Sequence, residues 1–209
     1  DAQRSMNTFL GASTELQPSD ISKDFIGRSK ILYLEGYLWD PPNAKKAFLE
    51  AINIAKASDT KVALSLSDAF CVDRYRSEFL DLVRTHVDIL FGNETEILSL
   101  YQTENLNEAT ELVQDDCEIV AVTRDSRGSI VIENRRVFEI AAQKIDTVID
   151  TTGAGDLYAS GFLYGMTRDM DIRQCGRLAG LAASSIITQF GARPEESLMP
   201  LIDRVSASN

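Results

Sequence analysis

The stretch Asp150-Thr151-Thr152-Gly153-Ala154-Gly155-Asp156 carries residue types suited to anion chemistry. It follows the β-branched run Thr147, Val148, Ile149, read as a strand, and opens onto Leu157 to Leu163, which reads as a helix. A strand, a Gly-rich turn and a helix start are thus expected within about a dozen residues. Unpaired N–H groups at a helix N-terminus and the positive end of its dipole suit a phosphate or a developing oxyanion. Gly153 and Gly155 permit a tight turn and close backbone approach. Asp156, acceptor-only when ionised, stands beside that anion hole and is placed to take a proton from an attacking hydroxyl. The competing reading is that Thr152 or Asp156 caps a buried helix. The stretch is neither a Gly-Lys-Ser/Thr phosphate loop nor a GxGxxG fingerprint, since Leu157, Tyr158 and Ala159 follow Asp156.

Two weaker signals accompany it. Asn93-Glu94-Thr95-Glu96 begins a helix at a strand's carboxyl end, and Asn93 with Glu96 three residues on forms a capping-box pattern. The functional reading of Glu96 puts it, directly or through water, near a Mg²⁺–phosphate cluster, because hard cations choose oxygen ligands. In the last long helix Gly180, Ala182, Ala183 and Ser184 are small. They suit tight helix–sheet packing, or a slot for a flat ring closed by Gly191.

These residues need a scaffold, and the chain alternates strands and helices. Residues 4–10 read as a strand followed by the turn Gly11-Ala12-Ser13, and Pro18-Ser19-Asp20 starts a short helix ending near Gly27. Strands are expected at Ile31–Leu34, Val62–Leu66, Val87–Phe91 and Ile119–Thr123. A helix opened by Pro41-Pro42 carries Ala44, Ala47, Phe48, Ala51, Ile52 and Ala55 at helical spacing. Further helices are expected through Phe79 to Val83 after a loop through Phe70, over Glu94–Tyr101 and over Leu106–Gln114. Turn signals around Ser129–Glu133 make residues 119–140 a small antiparallel meander. Helices over 156–167 and 172–189 finish the chain. The pattern predicts an α/β fold, a doubly wound and mostly parallel sheet with helices on both faces. Ligands bind such sheets at the carboxyl ends of the strands. Asn93, Thr123 and the Gly153 turn are expected there.

Composition narrows the function. The chain has 209 residues, 44% apolar, with a net charge of −11. That charge argues against nucleic acid as a partner, while ATP remains compatible where dipoles, a few basic groups and Mg²⁺ neutralise its phosphates. No apolar run approaches a membrane span, and Asp1-Ala2-Gln3-Arg4 does not read as a signal peptide. Cys71, Cys117 and Cys175 lack metal spacing and suit a reduced, cytoplasmic compartment. The single histidine, His86, excludes a multi-histidine zinc site and reads as a surface or capping residue at a helix end.

The Asp150–Asp156 run resembles the C-terminal signature of the ribokinase-like (PfkB-type) carbohydrate kinases. Val87-Asp-Ile-Leu-Phe-Gly-Asn-Glu-Thr-Glu96 is similar to the adenosine-kinase stretch with its Asn-x-x-Glu motif. The resemblance covers essentially the whole chain. It implies an ATP-dependent phosphotransferase acting on a primary hydroxyl of a nucleoside or sugar, adenosine first. It implies Asp156 as catalytic base, with Gly153, Ala154 and Gly155 as the anion hole. Asn93 and Glu96 would organise Mg²⁺ and phosphates, Glu96 through water. Thr123 and Gly128 would border the nucleotide, and Ala183 and Gly191 would lie near adenine. Arg4 would reach the phosphates, and Asp150 and Thr152 match positions near a monovalent-cation (K⁺) site in some members. The family's lid implies a homodimer or a shield over the site.

Two departures accompany the resemblance. Ser13 stands where ribokinases carry Asn after the post-lid Gly-Ala. The family's first third, with its substrate-holding Asp, Gly-Gly motif and most of the lid, has no counterpart. The expectation is therefore a single ribokinase-like domain over 1–209, incomplete at its N-terminus, with a post-lid strand and turn at 1–13 and a nucleotide-binding core at 14–209. A non-catalytic nucleotide-binding module of the same fold is the rival expectation. An NAD-dependent oxidoreductase is disfavoured by the absent GxGxxG.

Overall fold

The computed structural model of the chain describes residues 9–206. Strands β1 (Ile31–Glu35), β2 (Lys61–Ser65), β3 (Ile89–Asn93), β4 (Ile119–Thr123), β5 (Ser129–Glu133) and β6 (Arg136–Ile140) neighbour one another in chain order in one mixed sheet. The helices are α1 (Lys23–Gly27), α2 (Pro42–Ala57), α3 (Ala69–Thr85), α4 (Glu94–Tyr101), α5 (Leu106–Asp116), α6 (Ala154–Thr167), α7 (Ile172–Ile186) and α8 (Pro200–Ser206). The expected α/β architecture is what is observed. Among the described residues no helix is long and apolar enough to cross a membrane. These residues divide into two compact units, 9–122 with 132–135 and 123–131 with 136–206.

In the first unit, β1 pairs parallel with β2, Ile31 opposite Lys61, and β2 with β3, Ala63 opposite Ile89. Parallel neighbours need a crossover, and α2 and α3 supply the first two. Val62, Ala63, Leu64, Ile89 and Leu90 are wholly buried. Side chains pointing to both faces of these strands are therefore covered, as in a sheet sandwiched by helices. On α2 the six residues read from helical spacing are all buried, and Pro42 opens the helix where its missing N–H costs nothing. His86 stands at the C-cap of α3.

Several expectations change. Residues 4–8 of the first expected strand lie outside the described residues, and Gly11–Glu15 form a 3₁₀ turn. The expected helix over 18–27 splits into a 3₁₀ turn at Pro18–Asp20 and α1, capped afresh by Ser22. The loop through Phe70 is already helix, because Asp68 caps the Phe70 N–H at 2.6 Å. α3 then kinks at Tyr75, where the backbone leaves helical geometry.

The second unit holds the candidate anion turn. β5 and β6 are joined across Asn134-Arg135, which belong to the first unit and whose φ values of 50° and 64° make the tight turn that matches strand twist. α6 packs along α7 through residues without side chains. A Cβ on Gly161 would lie 2.9 Å from Ala179 Cα, and one on Gly165 2.9 Å from Cys175 Sγ. Gly176 of α7 likewise meets Ile140 and Val131 of the hairpin. The small residues of this region thus set helix–helix and helix–sheet distances. α8, absent from the sequence reading, covers Leu178 and Leu181 with Val205. Thr147–Ile149 form no strand, and Val148 and Ile149 are exposed. Here β propensity is overridden: the Ile149 N–H bonds to Ile187 O at 2.8 Å, beside the end of α7, and among the described residues the segment joins no sheet. α7 ends at Ile186, three residues before the expected end.

Between β4 and β5 the chain closes a loop by Arg124 N–H to Gly128 O, 2.8 Å, with Gly128 at φ 81°. A Cβ at Gly128 would stand 2.0 Å from Ile140 O and 2.7 Å from Ala142 N. Both the backbone and the space therefore demand glycine. Gly128→Ala is expected to lower unfolding free energy by roughly 2–4 kcal/mol, read by urea denaturation. A loss below about 0.5 kcal/mol would mean that the loop gives way at little cost.

Candidate active site

The second unit gathers several of the residues singled out in the sequence around one carboxylate. Asp150 Oδ1 accepts the Thr152 N–H at 2.9 Å and the Thr152 hydroxyl at 2.6 Å. Its Oδ2 accepts the Gly191 N–H at 2.9 Å. One side chain thereby joins the start of the anion turn to the Gly191 turn. Gly153 follows at φ 82°, and a Cβ there would lie 2.8 Å from Ala192 Cβ.

Gly153, rather than Thr152 or Asp156, is the N-cap of α6, and no side chain caps the helix. The capping alternative for those two residues is thereby corrected: Thr152 is held by Asp150, and Asp156 lies inside the first turn. Ala154 N–H bonds to Thr151 O and Leu157 N–H to Gly153 O. First-turn geometry gives Gly155 and Asp156 no intrahelical acceptor. A Cβ at Gly155 would meet nothing within 4 Å, and Asp156 is exposed. Two N–H groups, a helix dipole and a solvent-facing carboxylate thus share one open turn. Such a turn can hold a tetrahedral anion and accept a proton beside it.

Thr123 ends β4 and Gly128 closes the loop after it, in this same unit. Ala183 is a half-buried residue of α7. Arg4 lies outside the described residues.

Asn93 and Glu96 belong to the first unit and form the capping box in full. Glu96 N–H donates to Asn93 Oδ1 at 2.8 Å, Asn93 N–H to Glu96 Oε2 at 2.9 Å, and Asn93 Nδ2 to Glu96 Oε1 at 2.8 Å. Glu96 is only 6% exposed. Burial pushes its carboxyl up to about 7, against the pull of the Asn93 N–H, and the charge of Asp68 adds to the rise. The sequence reading passed over Asp68. A Ser/Asp cap directly after a strand was its only signal. It also passed over Ser67, whose backbone is left-handed at φ 69° and whose hydroxyl donates to Glu35 at 3.1 Å.

Oxygen donors suit Mg²⁺, but among the described residues no three His, Cys, Asp or Glu side chains cluster as a metal cage.

The family model for pfkB family carbohydrate kinases matches residues 1–198. The chain belongs to the pfkB carbohydrate kinase family. Among its relatives, 5-dehydro-2-deoxygluconokinase of Listeria monocytogenes is 29% identical over 203 residues, covering 94% of this chain and 61% of its own length. The crystal structure of adenosine kinase from Sinorhizobium meliloti superposes with a TM-score of 0.95 at 49% identity, over 98% of this chain and 63% of that one. A protein described as ribokinase II from E. coli, solved with ATP and Mg²⁺, superposes at 0.82 with 16% identity, over 93% of this chain and 64% of that one. That last likeness is one of fold. The chain thus spans just over three-fifths of the length of these proteins.

The buried Glu96 makes stability depend on pH. Its pKa is raised in the folded state, so the folded chain holds the proton more tightly than the unfolded one. Stability is then fully present below about 4.5 and is lost as pH rises toward about 7. Between pH 4.5 and 7.5 the parent is expected to lose about 3 kcal/mol relative to Glu96→Gln. Urea denaturation of both proteins at the two pH values measures this, and parallel pH profiles would show that Glu96 ionises freely in place.

Proposed function

We propose that the chain carries the phosphoryl-transfer machinery of an ATP- and Mg²⁺-dependent kinase. The acceptor is a primary hydroxyl of a nucleoside or sugar, with adenosine the first candidate. One observation carries the reading: the left-handed Gly153 turn opens the first N–H groups of α6 beside the exposed carboxylate of Asp156. Family membership supports a carbohydrate kinase, and the adenosine kinase neighbour supports a nucleoside acceptor. The ATP and Mg²⁺ bound by the ribokinase II neighbour support those two cofactors.

In this reading Asp156 accepts the proton of the acceptor hydroxyl as its oxygen bonds to the γ-phosphorus. The bond from that phosphorus to the bridging oxygen breaks, and ADP leaves with the electron pair. Transfer of this kind needs in-line positioning and charge neutralisation more than covalent help. The turn of Gly153, Ala154 and Gly155 serves as the anion hole for the oxygens that gain charge; with the Ala154 N–H bonded to Thr151 O at 3.3 Å, its open helix donors are the N–H groups of Gly155 and the adjoining Asp156. Preorganised donors of this type are worth about 3–4 kcal/mol each. Mg²⁺, when bound, spreads the charge of the phosphates. Glu96 would hold it through water, with Asn93 fixing the Glu96 carboxylate. Thr123 and Gly128 border the nucleotide, with Ala183 and Gly191 beside adenine, and residues 14–209 act as one nucleotide-binding core. The Asp150 carboxylate with Thr152 forms the seat for a K⁺ ion.

ADP release from MgATP by the full-length protein, across adenosine, other nucleosides, ribose and fructose, tests the proposal. Release is expected with one acceptor class and is expected to fall about 10²- to 10⁴-fold in Asp156→Asn. Turnover intact in that variant would remove Asp156 as base. ATP binding without release for any acceptor would make the chain a non-catalytic nucleotide-binding module.

A further inference from the structure

The reaction above leaves one buried polar pair unused. Tyr158 Oη donates to Ser129 Oγ at 2.8 Å. Tyr158 is 5% exposed and Ser129 2%, and burial pushes the phenol up to about 12, so it is a neutral donor throughout the neutral range. The surroundings are apolar. The Tyr158 ring stacks with Phe162, centroids 6.4 Å apart, and α7 meets the hairpin through Gly176, Ile140 and Val131.

Apolar packing is non-directional and leaves a helix free to slide or turn slightly on its sheet. A hydrogen bond is directional, and a fully satisfied polar contact in a low-dielectric interior selects one arrangement. The positions of the two partners give that selection a consequence. Ser129 is the residue after Gly128, whose loop is locked against Ile140 O. Tyr158 is two residues after Asp156, in the opening turns of α6.

We infer that the Tyr158–Ser129 hydrogen bond is a positioning device that holds the Gly153–Asp156 turn in fixed register with the Gly128 loop. It acts through Asp156 and Gly128 and touches no reacting atom. The inference rests on the reading of Asp156 as base and of the Gly128 loop as nucleotide border. It adds two positioning residues that neither motif contains.

The pair allows stability and function to be separated. Tyr158→Phe and Ser129→Ala each strand one buried hydroxyl and are expected to lower the melting temperature. The double variant removes both polar groups and is expected to recover most of that loss, since apolar replacement of both partners is nearly neutral. In the full-length protein the recovered double variant is nonetheless expected to show kcat for MgATP-dependent transfer about tenfold below the parent, with acceptor KM unchanged. Ser129→Thr, which keeps the hydroxyl, is expected to keep kcat. A double variant with parental kcat and KM overturns the positioning role and leaves the pair structural. The Asp156→Asn control separates this from failure of the underlying reading: parental kcat in the double variant beside an inactive Asp156→Asn refutes the positioning role alone. An active Asp156→Asn refutes the reading on which it stands.

Discussion

The Asp150 carboxylate is the constraint on which the anion turn depends. Three donors converge on its two oxygens, from Thr152 twice and from Gly191 once. Hydrogen bonds to a charged acceptor contribute about 1.5–3 kcal/mol where they are shielded from water. That is enough to hold a backbone conformation that side-chain packing alone would not select. With Thr152 fixed, Gly153 must turn left-handed, and its missing Cβ lets Ala192 close to van der Waals distance. The turn leaves the first N–H groups of α6 without a side-chain cap. A helix start that a Ser or Asp would ordinarily close is kept open, at a cost in helix stability, and an open start is what an anion needs.

The two carboxylates singled out by the sequence, one in each unit, stand in opposite environments. Asp156 is exposed in the first turn of α6. Glu96 is buried and held from two sides by the backbone and side chain of Asn93. Burial favours its neutral form, and the Asn93 N–H opposes that shift. A chain of net charge −11 has little overall attraction for a nucleotide. On the proposed reading, affinity for phosphate comes from oriented N–H groups and a counter-cation rather than from a basic surface.

Where local chemistry is self-contained, the sequence carried the structure. α4 was legible to the residue because Asn93 and Glu96 cap one end and Leu100 and Ile97 keep helical spacing. β4 was legible because apolar residues run through both faces. The Gly153 turn was legible because two glycines around one alanine signal positive φ beside a helix. Long-range partners had no such signature. Thr147–Ile149 carry β-branched residues, yet a strand needs a neighbour, and sequence gives no sign of the helix end that takes the Ile149 N–H. The start of α3 was hidden by a polar stretch from Asp73 to Glu78 and by the kink at Tyr75. Asp68 and Ser129 are short polar residues at element boundaries. Their meaning lies in what folds against them, 28 and 29 residues away along the chain.

Distance and register are set by different forces in the unit that holds the anion turn. Gly161, Gly165 and Gly176 bring α6, α7 and the hairpin so close that any side chain would collide. Close packing fixes how far apart the elements lie, because interiors tolerate neither gaps nor overlaps. It fixes less well how one element is turned or shifted along another, since neighbouring apolar contacts exchange at small cost. Directional contacts close that remaining freedom. The Asp150–Gly191 bond ties the chain before α6 to the chain after α7, and the Tyr158–Ser129 bond ties α6 itself to β5. A base must meet a hydroxyl at hydrogen-bond length, and an error of about 1 Å there can cost about a hundredfold in rate. On the proposed reading of Asp156 as base, glycine packing sets its distance from the neighbouring elements and the polar ties set its register.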